Sequence, residues 1–445
     1  MAMAQTATFE AGFARTEITP KLGIRLGGYG MQERPVESVH DALHANALAL
    51  RQGDQAALLL SLDLLGLEEV DTTAMRCAIS TATGVPVESI TIACTHTHTS
   101  PCTYAVFGWG DKEVGYLADV FGAIVAAGVQ AWGKLAPAQL GIGTCQTQVG
   151  VNRRRILANH QTSLCAEPCG SFDPTLTLLR FTTASGPLVN LVHLGCHPTA
   201  WGAPRLASRD WPGVMIDRME TQTGTPAVFF NGCIGDVGPR TSKWLPQHNA
   251  FSAGTGNDWE SVLEIGLRAA GDALHTWAAI KEFRHELPLA LASADQALPY
   301  RPLASREEAE RQLALAAPRK DSWGAGMCDY RHWASVLEAL QGQPRTGYPY
   351  RQTITRLGPL AFVPVPGEIF SGIGLRLRAL SPLPHTLMLS QANGSIGYLP
   401  TREAQHRGGY EVWVARAFGP YLPGETVDDY LVEHNLALLQ RLTGA

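Results

Sequence analysis

The sequence predicts an α/β fold, with a mixed central β-sheet or sheets flanked by helices. Two observations carry that expectation. Short runs that are nearly continuous in apolar residues recur along the chain, as in strands covered on both faces. Helical stretches with a 3.6-residue apolar period lie between them. A third observation concerns organisation: the candidate site residues come from both ends of the chain. That favours one elaborate catalytic domain over residues 1–445, although the length alone would allow two or three.

In chain order, strands are expected at residues 56–62, 89–94, 176–181, 188–194, 227–231, 360–365 and 387–391. Helices are expected at 116–132 and 259–280, and at 428–442, where leucines and a valine keep a helical period. Ser305-x-x-Glu308 is a capping box that opens a helix through about Leu315. Around it, residues 300–350 are polar, carry Pro and Gly, and read as a helical insertion with two short helices. No internal repeat or low-complexity tract interrupts this order.

Composition narrows the function classes. The chain is 45% hydrophobic and 17% charged, in the range of soluble globular proteins. A net charge of −5 offers no electrostatic footprint for nucleic acid, and Arg153-Arg154-Arg155 is too short to be a polybasic segment. No stretch approaches 18 uninterrupted apolar residues, so no transmembrane segment is expected. Residues 1–10 lack the basic and apolar regions of a secretory signal. The nine cysteines are odd in number and irregular in spacing, with Cys165-x-x-x-Cys169 the one close pair. Cys94, Cys196 and Cys233 lie in or beside expected strands and read as small buried hydrophobes. A reducing, cytoplasmic setting is therefore expected.

The most informative segment is Thr95-His96-Thr97-His98-Thr99-Ser100-Pro101, directly after the apolar run that ends at Cys94. On a continuing strand, His96 and His98 would share a face and leave the sheet together, at the edge where open α/β sheets hold their ligands. Two such imidazoles can bind one metal, or one can bind while the other moves protons. The same grammar recurs. His197 follows the run ending at Leu194, and Asn231 and Asp236 lie in the glycine-rich turn after residue 230. Glu368 follows Pro366-Gly367, and Tyr398 follows Gly394-Ser395-Ile396-Gly397. Each has a purely structural alternative. His193 and His197 can be satisfied core groups, Glu368 a helix N-cap or first-turn acid, Tyr398 packing, and Asp236 an Asx-turn residue.

Taken together, the segments resemble the neutral, non-lysosomal ceramidases, zinc-dependent amidohydrolases with shorter bacterial relatives. The resemblance begins at Gly12-Phe13-Ala14-Arg15-Thr16-Glu17-Ile18-Thr19-Pro20 and Gly28-Tyr29, and continues at His40-Asp41-Ala42-Leu43-His44-Ala45. It runs on through Thr95-His96-Thr97-His98, Val151-Asn152-Arg153, His197-Pro198-Thr199, Gly235-Asp236-Val237, Pro366-Gly367-Glu368 and Gly397-Tyr398. That order spans nearly the whole chain. It implies one Zn2+ per chain, held by His96, His197, Glu368 and Tyr398, with His98 as the acid/base that relays the proton of the attacking water. Arg153 and Tyr410 match positions that contact the reacting carbonyl or the substrate, and Asn231 and Asp236 would support the site.

There are departures from the family pattern. The usual serine of Gly-Asp-Val-Ser-Pro is Gly238 here, so no serine contact can be invoked at that position. Cys102-Thr103-Tyr104 and Phe107-Gly108-Trp109-Gly110 replace the paired glycines after His-Thr-His-Ser. The C-terminal immunoglobulin-like domain of the larger ceramidases has no counterpart in this sequence. The expected partner is accordingly a small-molecule N-acyl substrate, smaller or more polar than ceramide, with a homo-oligomer left open. Hydrolysis of an ester, lactone or cyclic amide at the same metal is an alternative. A regular eight-stranded barrel is disfavoured by the irregular spacing. From another class, a non-catalytic binding protein on a hydrolase scaffold would be expected to lack a ligand, yet all four positions are filled.

Overall fold

Three strand-helix-strand units hold the architecture together. The structure, a computed structural model, describes residues 8–30, 33–107, 110–246, 250–253, 258–322 and 324–444. Eight strands form the larger sheet: β1 (Phe9–Glu17), β2 (His44–Gln52), β3 (Gln55–Leu62), β4 (Ile90–Cys94), β5 (Ala136–Gln146), β6 (Thr175–Thr183), β7 (Gly186–Leu194) and β8 (Ala227–Asn231). Their spatial order is β8-β7-β6-β5-β1-β2-β3-β4. The second sheet runs β9 (Leu289–Pro299), β10 (Gly347–Leu357), β11 (Leu360–Pro364) and β12 (His385–Leu389), in that order.

Within these two sheets three pairs are parallel: β3 with β4, β7 with β8, and β11 with β12. A parallel pair needs a crossover, and each pair has a helix: α1 (Glu69–Thr83), α3 (Asp210–Thr223) and α7 (Ser371–Leu380). These six strands are among the near-continuous apolar runs of the sequence, and their central residues are buried. The remaining helices used below are α2 (Val114–Gly133), α4 (Trp259–Ala279), α5 (Arg306–Ala316), α6 (Ala325–Ala339) and α8 (Val427–Thr443).

Packing produces four layers. Leu58, Leu60 and Ile92 face α1 and α2, while Leu178, Val192 and Phe229 face α3 and α4. From the opposite face of the large sheet, Leu48, Leu59, Leu191 and Phe230 pack against Leu357, Phe362 and Leu387 of the second sheet. The outer face of that sheet is covered by α7 and α8, through Ile373, Leu377, Leu431 and Leu438. Burial of each such side chain is worth about 1.5–3 kcal/mol. α2 is long and apolar enough to cross a membrane, but Leu117, Val120 and Ile124 sit in the core against β2 and β3.

The large sheet curls until its edges approach. Ser61 Oγ of β3 donates to Phe229 O of β8 at 2.5 Å, and Arg15 Nη2 of β1 reaches Ala227 O at 2.6 Å. The chain leaving β12 fills the gap: Cys94 N donates to Gln391 O, and Ser390 N to Asn231 O. The C-terminal ends of all three parallel pairs thus open onto one place. Helices α5 and α6 lie between the paired strands β9 and β10, and the Ser305 side chain caps α5 by accepting from Glu308 N at 3.1 Å.

Candidate metal centre

One expectation needs correction. His96 and His98 do not share a strand face, because β4 ends at Cys94 and His96 has φ +68°. That left-handed conformation is rare for a residue with a Cβ and marks a functional turn. Its cause is local: Thr95 N and His96 N bond back to Leu62 O and Leu64 O, folding the chain sharply at the sheet edge. The two imidazoles converge all the same, with their Nε2 atoms 3.2 Å apart.

His197, just after β7, joins them. One ligating atom from each of His96, His98 and His197 falls within a 4.8 Å group. Glu368 and Tyr398 are cross-strand partners in a two-residue parallel pair, Glu368–Ile369 with Tyr398–Leu399. That register points both at the cluster. Glu368 Oε2 lies 3.0 Å from His197 Nε2 and 3.6 Å from His96 Nε2. The structural alternative for Glu368 fails, since Phe370 is the N-cap residue of α7. Tyr398 sits further out, its ring 6.5 Å from that of His197, and its Oη accepts from Arg153 Nη2 at 3.0 Å.

The second nitrogen of each imidazole determines what the first can do. Nδ1 of His96 faces Leu65 O at 2.5 Å, Nδ1 of His98 faces Gly28 O at 3.1 Å, and Nδ1 of His197 faces Ile234 O at 2.7 Å. A carbonyl only accepts, so each Nδ1 carries the proton. Each Nε2 of a neutral ring is then a lone pair aimed at the other two and at a carboxylate. Such a group is repulsive without a cation or a shared proton. Burial, with His96 and His197 adding to it, keeps the His98 pKa well below the ordinary value. Burial also brings His197 down to about 4. Burial would raise the Glu368 carboxyl, but His96 and His197, when protonated on Nε2, outweigh that and hold it well below the usual range. The Tyr398 phenol is pushed up, first by burial and then by Glu368. Imidazoles with carbonyl-fixed tautomers plus one carboxylate are a donor set for a divalent cation such as zinc.

The other expected residues frame the cluster. Arg153 is buried, with Nε on Glu411 Oε1 at 3.0 Å and Nη2 on Gly235 O at 2.9 Å. Burial alone would lower its pKa, but Tyr398, Glu411 and Glu368 outweigh this, so it stays charged. Tyr410 meets Tyr398 edge-on at 6.3 Å and lines the cavity beside the histidines. Asn231 is a staple, its Nδ2 donating to Thr95 O at 2.8 Å and its Oδ1 accepting from Cys196 N at 3.3 Å. Asp236 accepts from Ser371 N at 2.6 Å and Ser371 Oγ at 2.9 Å, tying the glycine-rich turn to the start of α7. His193 is a core group, with Nε2 on Met388 O at 2.8 Å. Cys94, Cys196 and Cys233 are free and buried.

Three contributors were not expected from sequence. Glu411 is buried and pairs with both Arg153 and Arg154. Arg34 is fully buried and holds the loop by donating to His98 O at 2.9 Å and to Gly27 O. Phe418 lines the cavity and stacks on Tyr104. No local pattern announces them, because each is defined by partners far along the chain. Gly28, with φ +93°, matters as well: a Cβ there would lie 2.5 Å from His98 Nδ1. Of the aromatics after the His-x-His, Tyr104 lines the cavity and Phe107 N bonds to Ala417 O, while Trp109 lies outside the described residues.

The four-layer fold is the one seen in solved neutral ceramidase structures. The chain superposes on neutral ceramidase from Pseudomonas aeruginosa with a TM-score of 0.74 at 18% identity, covering 98% of this chain and 75% of that one. A ceramidase complexed with C2 matches with a TM-score of 0.75 at 19% identity, over 98% and 76% of the two chains. No family model and no curated protein matches the sequence.

Proposed function

We propose that the chain is a zinc-dependent amidohydrolase that cleaves an N-acyl bond. One observation carries the reading: three converging Nε2 lone pairs and the Glu368 carboxylate face one another, while every partner Nδ1 proton is committed to a backbone carbonyl. The ceramidase fold of the solved neighbours supports amide chemistry.

In this reading His96, His197, Glu368 and Tyr398 hold the metal. A divalent cation so held would polarise the acyl carbonyl and lower the pKa of water towards ~7. His98, whose Nε2 offers a lone pair and whose Nδ1 is fixed by Gly28 O, takes the water proton and delivers it to the leaving nitrogen. Arg153 and Tyr410 donate to the oxygen that gains negative charge, and Glu411 keeps the guanidinium aimed by its bond to Nε. Water adds to the carbonyl carbon, the C–N bond breaks, and a carboxylate and an amine leave. The substrate in this reading is smaller or more polar than ceramide, which the narrowness of the cavity at the cluster, about 30 Å³, supports.

The test is a hydrolysis panel of long-chain and short-chain amides and esters, with and without chelator. Amide turnover that chelator abolishes and added zinc restores is the expected result. Turnover of esters alone, or turnover indifferent to chelator, would contradict it.

A further inference from the structure

The small cavity at the histidines is bounded on one side by Tyr104 and Phe418, stacked with ring centroids 6.1 Å apart at 22°. Both rings also line a second, larger basin of about 660 Å³. The walls of this basin come from the start of α1, the facing ends of β9 and β10, helix α6 and residues 420–427. Its lining mixes apolar Leu298, Pro299, Ile396, Leu399 and Pro420 with tyrosines and charged groups. Inside the small cavity, Leu65, Val106 and Val414 present apolar surface. Outside, Tyr300 and Tyr421 stack at 4.8 Å and 15°, and Tyr348 donates its hydroxyl to Glu69 Oε2 at 2.6 Å. Glu338 of α6 is exposed and Ser335, one turn earlier, adds a hydroxyl oxygen. Three glutamates and one arginine line the basin, and Glu68 is neutralised by Lys112 at 2.8 Å.

We propose that this basin binds the amine half of the substrate, that this half is a hydroxyl-bearing ring amine, and that the inner cavity takes a short acyl group. The inference rests on the amide-hydrolase reading and names its substrate class. An alkyl chain laid in the basin would cover Glu69, Glu338 and Arg345 without replacing their water, which is costly. Tyrosine faces accept the C–H face of a ring, while carboxylates and hydroxyls accept from ring hydroxyls and from an ammonium. An anionic group would meet an excess of glutamate. The inner space is narrow, about 30 Å³, and suits a short acyl group. Hydrolysis of such a compound breaks one C–N bond, forms one C–O bond to water and releases a short carboxylate and a ring ammonium. Water is the one co-reactant.

The experiment uses the full chain loaded with zinc and four probes: an N-acetylhexosamine, an N-palmitoylhexosamine, N-acetyldodecylamine and N-acetylmethylamine, which is too small to reach the basin. The N-acetylhexosamine should have the highest kcat/KM. Glu338→Ala and Tyr300→Ala should each raise its KM by roughly tenfold with kcat unchanged, the effect of losing one hydrogen bond to a charged group or one ring contact. Neither should alter turnover of N-acetylmethylamine. Preference for the dodecyl or palmitoyl probe, or an equal effect of both variants on all four, would overturn the assignment. If no amide is cleaved, the hydrolase reading fails and the basin is judged by binding alone. In saturation-transfer NMR, free hexosamine should bind wild type and lose that binding in Glu338→Ala; no binding to wild type would overturn the proposal.

Discussion

At the scale of residues, the site depends on which nitrogen each imidazole gives to the backbone. Leu65 O, Gly28 O and Ile234 O fix the tautomers, so the three Nε2 atoms face inward as lone pairs. His96, His197 and Glu368 were legible because each follows an apolar run. Their carbonyl partners were not, since a backbone acceptor leaves no mark in a sequence. His98 stands as close to His96 as any proposed ligand does, at 3.2 Å. The division of labour therefore needs its own experiment. In His98→Ala, zinc content should persist while turnover drops by roughly 10²–10⁴-fold, as for a lost acid/base. Joint loss of metal and activity would make His98 a ligand instead.

At the scale of elements, six of the seven strands that could be read belong to the parallel pairs, and the seventh is the antiparallel β6. β4, β8 and β11 are buried on both faces and carry nearly continuous apolar runs. Two of the long antiparallel strands that escaped notice show why: β5 holds a proline and two glycines, and β9 is rich in alanine, which strands disfavour. The glycine that departs from the family's serine also has an element-level cause. Gly238 lies in Val237–Pro239, paired with Gly150–Asn152, and a Cβ there would come 2.1 Å from Ala253 O. Gly238→Ser should cost at least about 1–3 kcal/mol of stability by overpacking, read from a chemical denaturation midpoint. An unshifted midpoint would mean that this strand pair can part without penalty.

Helix α6 supplies a pH prediction from the same level. His332 is buried with Nδ1 on Gly419 O at 2.8 Å, and burial brings its pKa down to about 4. Unfolded, it would titrate near 6.5, so below that pH the unfolded chain binds a proton that the native state refuses. Stability should fall as pH drops from 6.5 towards 4. Between pH 7 and pH 5 this residue accounts for about 2 kcal/mol of that fall. His332→Gln should lose about that much less stability than wild type over the same interval. Equal losses in the two proteins would show that His332 protonates freely in the native state.

For the whole molecule, the sequence pattern indicated α/β layering but not the curl that closes the large sheet. Curling depends on contacts such as Ser61 with Phe229 and Asn231 with Thr95, between segments more than 100 residues apart. Those contacts bring the ends of β4, β7 and β12 together, and with them the histidines, Glu368 and Tyr398. We propose that this convergence holds one metal ion. Elemental analysis of the purified protein, set beside His197→Ala, tests it most directly, because removing a ligand leaves too few donors to complete the shell. One zinc per chain in wild type and a value well below that in the variant are expected. A wild-type protein free of tightly bound metal, or full occupancy in the variant, would contradict the account.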